Sequence, residues 1–172
     1  MKNQGKIFEQ DFRASLNLDN PDLFFYRFKD GTASWGGNQQ NNFVRFQNYN
    51  IADEMIFYKG TLFILELKNH KGKSLPFSCI REKQFEEMYK ASFKKNVFPM
   101  LIIFFSDVQE CYAIKIIDVI RFKGENISKS ISLSFIRQNG FKIDSRKLQT
   151  HYRFFVEDFL ENFIRNIKKE GF

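Results

Sequence analysis

Residues 53–68, DEMIFYKGTLFILELK, constrain the fold more than any other stretch of the chain. Two apolar, strand-forming runs flank Lys59-Gly60, and glycine suits the second position of a two-residue hairpin turn. Side chains alternate with period two along a strand, yet TLFILEL is apolar at odd and even positions alike. A strand that is apolar on both faces must be covered on both faces. Helices are therefore needed on each side of a sheet, and amphipathic spacing supplies three. They are 4–17 (with Phe8, Phe12 and Leu16 on one stripe), 78–95 (with Ser78 as N-cap) and 152–169. Further strands are predicted at 24–28, 97–105, 110–117 and 140–144, and a helical turn at 118–123. The rest of 124–150 supports no single assignment. The pattern predicts one α/β (α+β) domain over residues 1–172, a mixed central sheet flanked by helices. Residues 30–42, DGTASWGGNQQNN, read as a loop or projecting hairpin tip from which 43–46 return.

The same pattern excludes other classes. No apolar run reaches the roughly 18 residues that cross a bilayer. The longest, Val97–Phe105, contains Pro99, and the N-terminus lacks the apolar centre of a signal peptide. Cys79 and Cys111 show no metal-ligand or disulfide spacing and read as reduced, packed thiols of a cytoplasmic protein. Lys and Arg number 27 against 20 Asp and Glu, a net charge of +7. Such a balance suits a polyanionic partner, nucleic acid first and an anionic membrane surface second.

The apolar strand ends unexpectedly in Glu66-Leu67-Lys68. With Lys59-Gly60 as the turn, Tyr58 faces Thr61 and Asp53 faces Glu66. Asp53, Glu66 and Lys68 then share one face, and Glu54 points to the other. Directly opposed Cβ atoms lie roughly 4.5–5.5 Å apart. Two carboxylates at that spacing repel unless a divalent cation such as Mg²⁺ sits between them. Lys68, one pleat on, would stand beside a water or a phosphate, and the basic run His70-Lys71-x-Lys73 follows. The plain structural reading is a solvent-facing strand end at Glu66 and Lys68, with Asp53 merely opening a strand.

The arrangement Asp53-x12-Glu66-Leu67-Lys68 resembles the PD-(D/E)xK nuclease superfamily. Within it, the chain is similar to the RecU family of Holliday-junction resolvases. The resemblance rests on Glu9 in a first helix, the 30–42 excursion, Phe46, Asp53, Tyr58-Lys59-Gly60, Glu66-Leu67-Lys68 and Gln84, in that order. It covers residues 3 to 117. Pro76-Phe77 reverses the family's usual order, the excursion is shorter than the family's stalk, and alanine precedes Asp53 where the family often has a hydroxyl.

The resemblance implies a restriction-endonuclease-like domain with a stalk, hydrolysing DNA with Mg²⁺ or Mn²⁺. Asp53, Glu66 and the Leu67 carbonyl would hold the metal, and Lys68 would orient water or stabilise the transition state. Glu9 would help hold a metal, and Gln84 would orient Lys68 or a water. Lys71, Lys73, Lys94 and Lys95 would contact phosphates, with His70 assisting. Arg27, Lys29, Trp35 and Arg45 would meet a branch point. Each also reads as ordinary surface or packing. The implied partners are four-way-junction DNA and a second copy in a two-fold homodimer, with no membrane. The alternatives are a repair- or restriction-type endonuclease on the same core and a non-catalytic DNA-binding module.

Overall fold

The computed structural model describes residues 4–28, 31–32, 47–48 and 50–169. The main sheet is built from β1 (Leu23–Arg27), β4 (Glu54–Tyr58), β5 (Thr61–His70), β7 (Val97–Phe105), β8 (Glu110–Lys115) and β10 (Phe141–Ile143), in the order β1-β4-β5-β7-β8-β10. Only β5 and β7 run parallel; the other neighbours are antiparallel. Three small ribbons accompany it: β2 (Gly31–Thr32) with β3 (Gln47–Asn48), β6 (Ser74–Pro76) with β9 (Ser130–Ser132), and β11 (Ser145–Lys147) with β12 (Tyr152–Phe154). The helices are α1 (Gln4–Ala14), α2 (Glu82–Ala91), α3 (Ile116–Glu125), α4 (Leu133–Asn139) and α5 (Val156–Lys169). The architecture is the mixed, helix-flanked α/β domain that the apolar strand demands. No helix among the described residues is long and apolar enough to cross a membrane.

The expected register holds. Tyr58 pairs with Thr61, and the ladder runs back to Glu54 opposite Leu65. Lys59 and Gly60 take φ of 47° and 80°. Two positive φ values define the hairpin turn whose twist matches its strands. Lysine tolerates that strain here because its ammonium and the Tyr58 hydroxyl both bond Glu161 of α5.

The period-two alternation of β5 divides the core. Phe63, Leu65 and Leu67 face α1 and α5, together with Met100 and Ile102 of β7. Leu101, Ile103 and Phe105 of β7 face α2, α3 and α4. Phenylalanines close the first layer: the Phe163 ring lies 5.4 Å from Phe63, 4.9 Å from Phe98 and 4.9 Å from Phe141.

Several local expectations are corrected. Ser78 caps no helix: Phe77–Cys79 form a 3₁₀ turn, the Phe77 amide donates to the Lys129 carbonyl, and α2 starts only after Arg81. Residues 116–125 form a full helix, not a turn. The ambiguous segment holds β9 and α4, whose N-cap Ser132 accepts from the Phe135 amide. The last helix begins at Val156, because Tyr152–Phe154 pair as a strand. Cys111 is buried, but Cys79 is exposed and does not pack. Of the projecting segment at 30–42, β2 pairs antiparallel with β3, which fits the base of a hairpin. Trp35, Arg45, Phe46 and Lys29 lie outside the described residues.

Phe163→Ala should destabilise the domain by about 3–5 kcal/mol, the usual cost of deleting a buried aromatic ring. A urea-unfolding midpoint within error of wild type would contradict this account of the α5 layer.

Candidate active site

The β4–β5 ladder ends at Glu54 opposite Leu65, and a side chain continues the pairing. The Asp53 amide donates to the Leu65 carbonyl at 3.2 Å. Asp53 Oδ2 accepts from the Leu67 amide at 2.9 Å. That amide would otherwise be a buried donor left over where β4 runs out, which is costly. A carboxylate at 53 thus has a structural task as well as any chemical one. The N–H and C=O of one strand residue project to the same side. The Leu67 carbonyl therefore also faces the Asp53 side, past the last rung.

Glu66 comes from the middle of β5 and is almost fully buried, with 1% exposure. Both of its oxygens are held: Lys68 Nζ donates to Oε1 at 2.6 Å, and Gln84 Nε2 of α2 donates to Oε2 at 3.1 Å. Gln84 thus orients Glu66, in place of the expected Lys68 or water, because α2 packs on the face from which Glu66 projects. Burial pushes the Glu66 carboxyl up to about 7; the nearby Asp53 charge adds to the rise, and Lys68 opposes it. Asp53, Glu66, Lys68 and Gln84 thus form one cluster at the end of β4.

The opposite face of the sheet carries a second charged group, of which only Glu9 and Arg27 are sequence-predicted candidates. Glu54 projects toward α1, as the register requires, and is fully buried. Arg13 Nε lies 3.3 Å from Glu54 Oε1, yet its proton goes to the Glu9 carbonyl at 3.0 Å. Neither Glu54 oxygen has a hydrogen-bond partner among the described residues. Burial raises the Glu54 carboxyl to about 8, against the pull of Arg13. Glu9 lies in this group: its Oε2 is 3.9 Å from Arg13 and 3.8 Å from Arg27. The signal in the sequence that points to Arg13 is its position one helical turn after Glu9.

The remaining candidates scatter. His70 ends β5 with its ring edge-on to Phe105. Lys71 and Lys73 are exposed just beyond it, where the Gly72 amide donates to Asp107. Lys94 and Lys95 precede Val97, which pairs with Leu62 at the start of β5. They stand at the far end of the strand from Glu66, since Leu62 itself is roughly 13 Å from it at 3.3 Å per residue.

The two raised carboxyls make a pH prediction for the metal-free protein. Glu54 and Glu66 bind their protons more tightly folded than unfolded, where 4.5 is the ordinary value. Their contribution is complete below that value and is lost as pH rises through about 7 and about 8. Thermal stability should therefore fall between about pH 5 and about pH 8. Glu54→Gln should flatten that fall, matching wild type at the acid end and exceeding it at the alkaline end. Parallel melting curves for the two proteins would contradict this.

The family model for Recombination protein U (RecU) matches residues 37–158, which include Asp53, Glu66, Lys68 and Gln84. A similar protein in Bacillus subtilis (strain 168), the SPbeta prophage-derived uncharacterized protein YotM, is 28% identical over 169 aligned residues. That alignment covers 90% of this chain and 83% of YotM. The family match spans more than half of the chain, so this protein belongs to the RecU family, a family of Holliday-junction-resolving nucleases.

Proposed function

We propose that the protein is a divalent-metal-dependent endonuclease that cuts branched DNA, four-way junctions above all. The observation that carries this reading is Asp53, bonded to the Leu67 amide, beside a buried Glu66 that Lys68 and Gln84 grip, in a chain of the RecU family. The donor set fits Mg²⁺, and Mn²⁺ as a substitute: two carboxylates and a carbonyl are hard oxygen ligands. Asp53, Glu66 and the Leu67 carbonyl would hold the ion. When bound, it supplies Lewis-acid activation of water and neutralises charge at the scissile phosphate. An ionised Glu66 beside Asp53 is unfavourable without a cation, which gives the site a reason to bind one.

The chain's own groups then divide the work. Gln84 fixes the Glu66 carboxylate, so the ligand is aimed before any ion arrives. Lys68 bonds Glu66, and its ammonium is the group available to orient the attacking water and to meet charge on the transition state. Water adds across one P–O bond, leaving a phosphomonoester end and a hydroxyl end. The hydroxyl takes up the proton that the water gives away. Glu9 and Arg27 lie across the sheet beside Glu54 and support the site from behind.

Two cuts in a four-way junction need two sites, so a two-fold homodimer is part of this reading. The prophage-derived relative favours a phage origin.

The test separates binding from chemistry. With Mg²⁺, wild type should cut a four-way junction faster than linear duplex. Asp53→Asn, Glu66→Gln and Lys68→Ala should each lower the rate by more than about a hundredfold. Mn²⁺ should raise the melting temperature of wild type and of Lys68→Ala, but not of the two carboxylate variants. Equal cutting by all four proteins would overturn the site. A protein that binds junctions but never cuts them would favour the non-catalytic alternative.

A further inference from the structure

The ribbon of β11 and β12 has an arrangement that folding alone does not favour. Its register sets Arg146 directly opposite Arg153, and both are exposed. Cβ atoms so opposed are roughly 5 Å apart, and like charges at that spacing destabilise a strand pair. Neither arginine pairs with a carboxylate among the described residues. The acid that precedes the ribbon, Asp144, is bonded by Lys142 at 2.8 Å. Lys147, next along β11, is exposed as well.

The other face of the ribbon is fixed in place. Tyr152 and Phe154 pack on Phe104, with ring centroids at 4.8 Å and 5.6 Å. The buried Asp11 of α1 accepts from the Tyr152 amide at 2.8 Å and bonds His151 Nδ1 at 2.6 Å. Ser15 Oγ accepts from the Phe154 amide at 2.9 Å. A lone two-stranded hairpin is marginal in water. This one is pinned to the helix that carries Glu9, so the two arginines cannot relax apart by moving the backbone.

The ribbon also stands at a particular place. Thr150 and Tyr152 line one cleft with Asn69 and Ser106, at the ends of β5 and β7. That cleft lies on the α1 face of the sheet, opposite the face of Glu66 and Lys68, but at the same end, from which the His70–Lys73 turn leaves.

We propose that the β11–β12 ribbon is a second DNA-binding surface, on which Arg146 and Arg153 together grip the phosphate backbone of a duplex arm leaving the cleavage site. A polyanion turns the cross-strand repulsion into a shared attraction, and guanidinium forks suit phosphate oxygens. Such contacts position the duplex without reading its sequence. The proposal rests on the reading that the substrate is DNA.

The experiment is binding of a four-way junction and of linear duplex in metal-free buffer, where nothing is cut, over a range of salt. Arg146→Ala/Arg153→Ala should shrink the salt slope by roughly 1.8, about 0.9 for each phosphate that an arginine no longer neutralises. Affinity at about 0.1 M salt should fall roughly tenfold to a hundredfold. Arg146→Lys/Arg153→Lys should keep most of the slope. The alanine variant should melt no lower than wild type, since a repulsion has been removed. Wild-type affinity and slope in the alanine variant would overturn the ribbon while leaving the nuclease reading intact. Failure of wild type to bind any DNA would overturn both. Ribbon-dependent binding to phosphatidylglycerol vesicles in place of DNA would assign the surface to a membrane and overturn the proposal.

Discussion

Lys59 and Gly60 hold β4 against β5 in one register, and the chemistry of the domain depends on that choice. Strand side chains alternate faces, so a slip of one residue would turn one strand over relative to the other. Glu54 and Glu66 would then share a face: either Glu66 would leave Gln84 for the phenylalanine layer under α1 and α5, or Glu54 would leave Arg13 for the α2 side. One of the two buried acids would lose its partner. The turn is secured from outside the hairpin, through Glu161 on the last helix of the chain. A contact between residues about a hundred positions apart thus adds to a register that the hairpin itself sets.

The two buried acids show how a sheet carries charge through its middle. Glu66 keeps both oxygens bonded, yet burial, with Asp53 at its side, raises its carboxyl to about 7 against the pull of Lys68. Glu54 is shielded by Arg13 but not hydrogen-bonded, and its carboxyl is raised further. A protonated Glu54 places no negative charge behind Asp53, whereas an ionised one would add to the repulsion Asp53 already exerts on Glu66. The arginines of the α1 side therefore matter to the opposite face without touching it: Arg13 lies beside both Glu54 and Glu9, and Arg27 beside Glu9.

What is legible in the sequence follows from how local its causes are. The β4–β5 register can be read because period-two alternation and a two-residue turn determine it within sixteen residues. The strand at 97–105 can be read because nine apolar residues in a row have few other uses. Helix α4 is hidden because seven residues are too few to display a period, and its neighbour β9 is recognised only by pairing with β6. Gln84 is visible as an amide on an apolar face needing a partner; that the partner is Glu66 depends on where α2 crosses β5. The Asp11–His151 bond and the opposed arginines join distant or unremarkable positions, and no spacing rule foretells them.

The distribution of positive charge shows why net charge alone is a weak guide to a polyanion site. Many of the basic side chains already answer an acid. Lys90 bonds Glu87, Lys115 and Arg121 share Asp118, and Arg137 grips Glu110 with two nitrogens. Others, such as Lys94 and Lys95, are exposed but stand far from the carboxylates, and water alone accounts for them. Arg146 and Arg153 differ from both groups. They are set against each other by a backbone register that buried bonds to Asp11 and Ser15 hold fast. An unpaired surface charge costs a folded protein almost nothing. A fixed pair of like charges does cost something, and a phosphate backbone is the partner that would offset it.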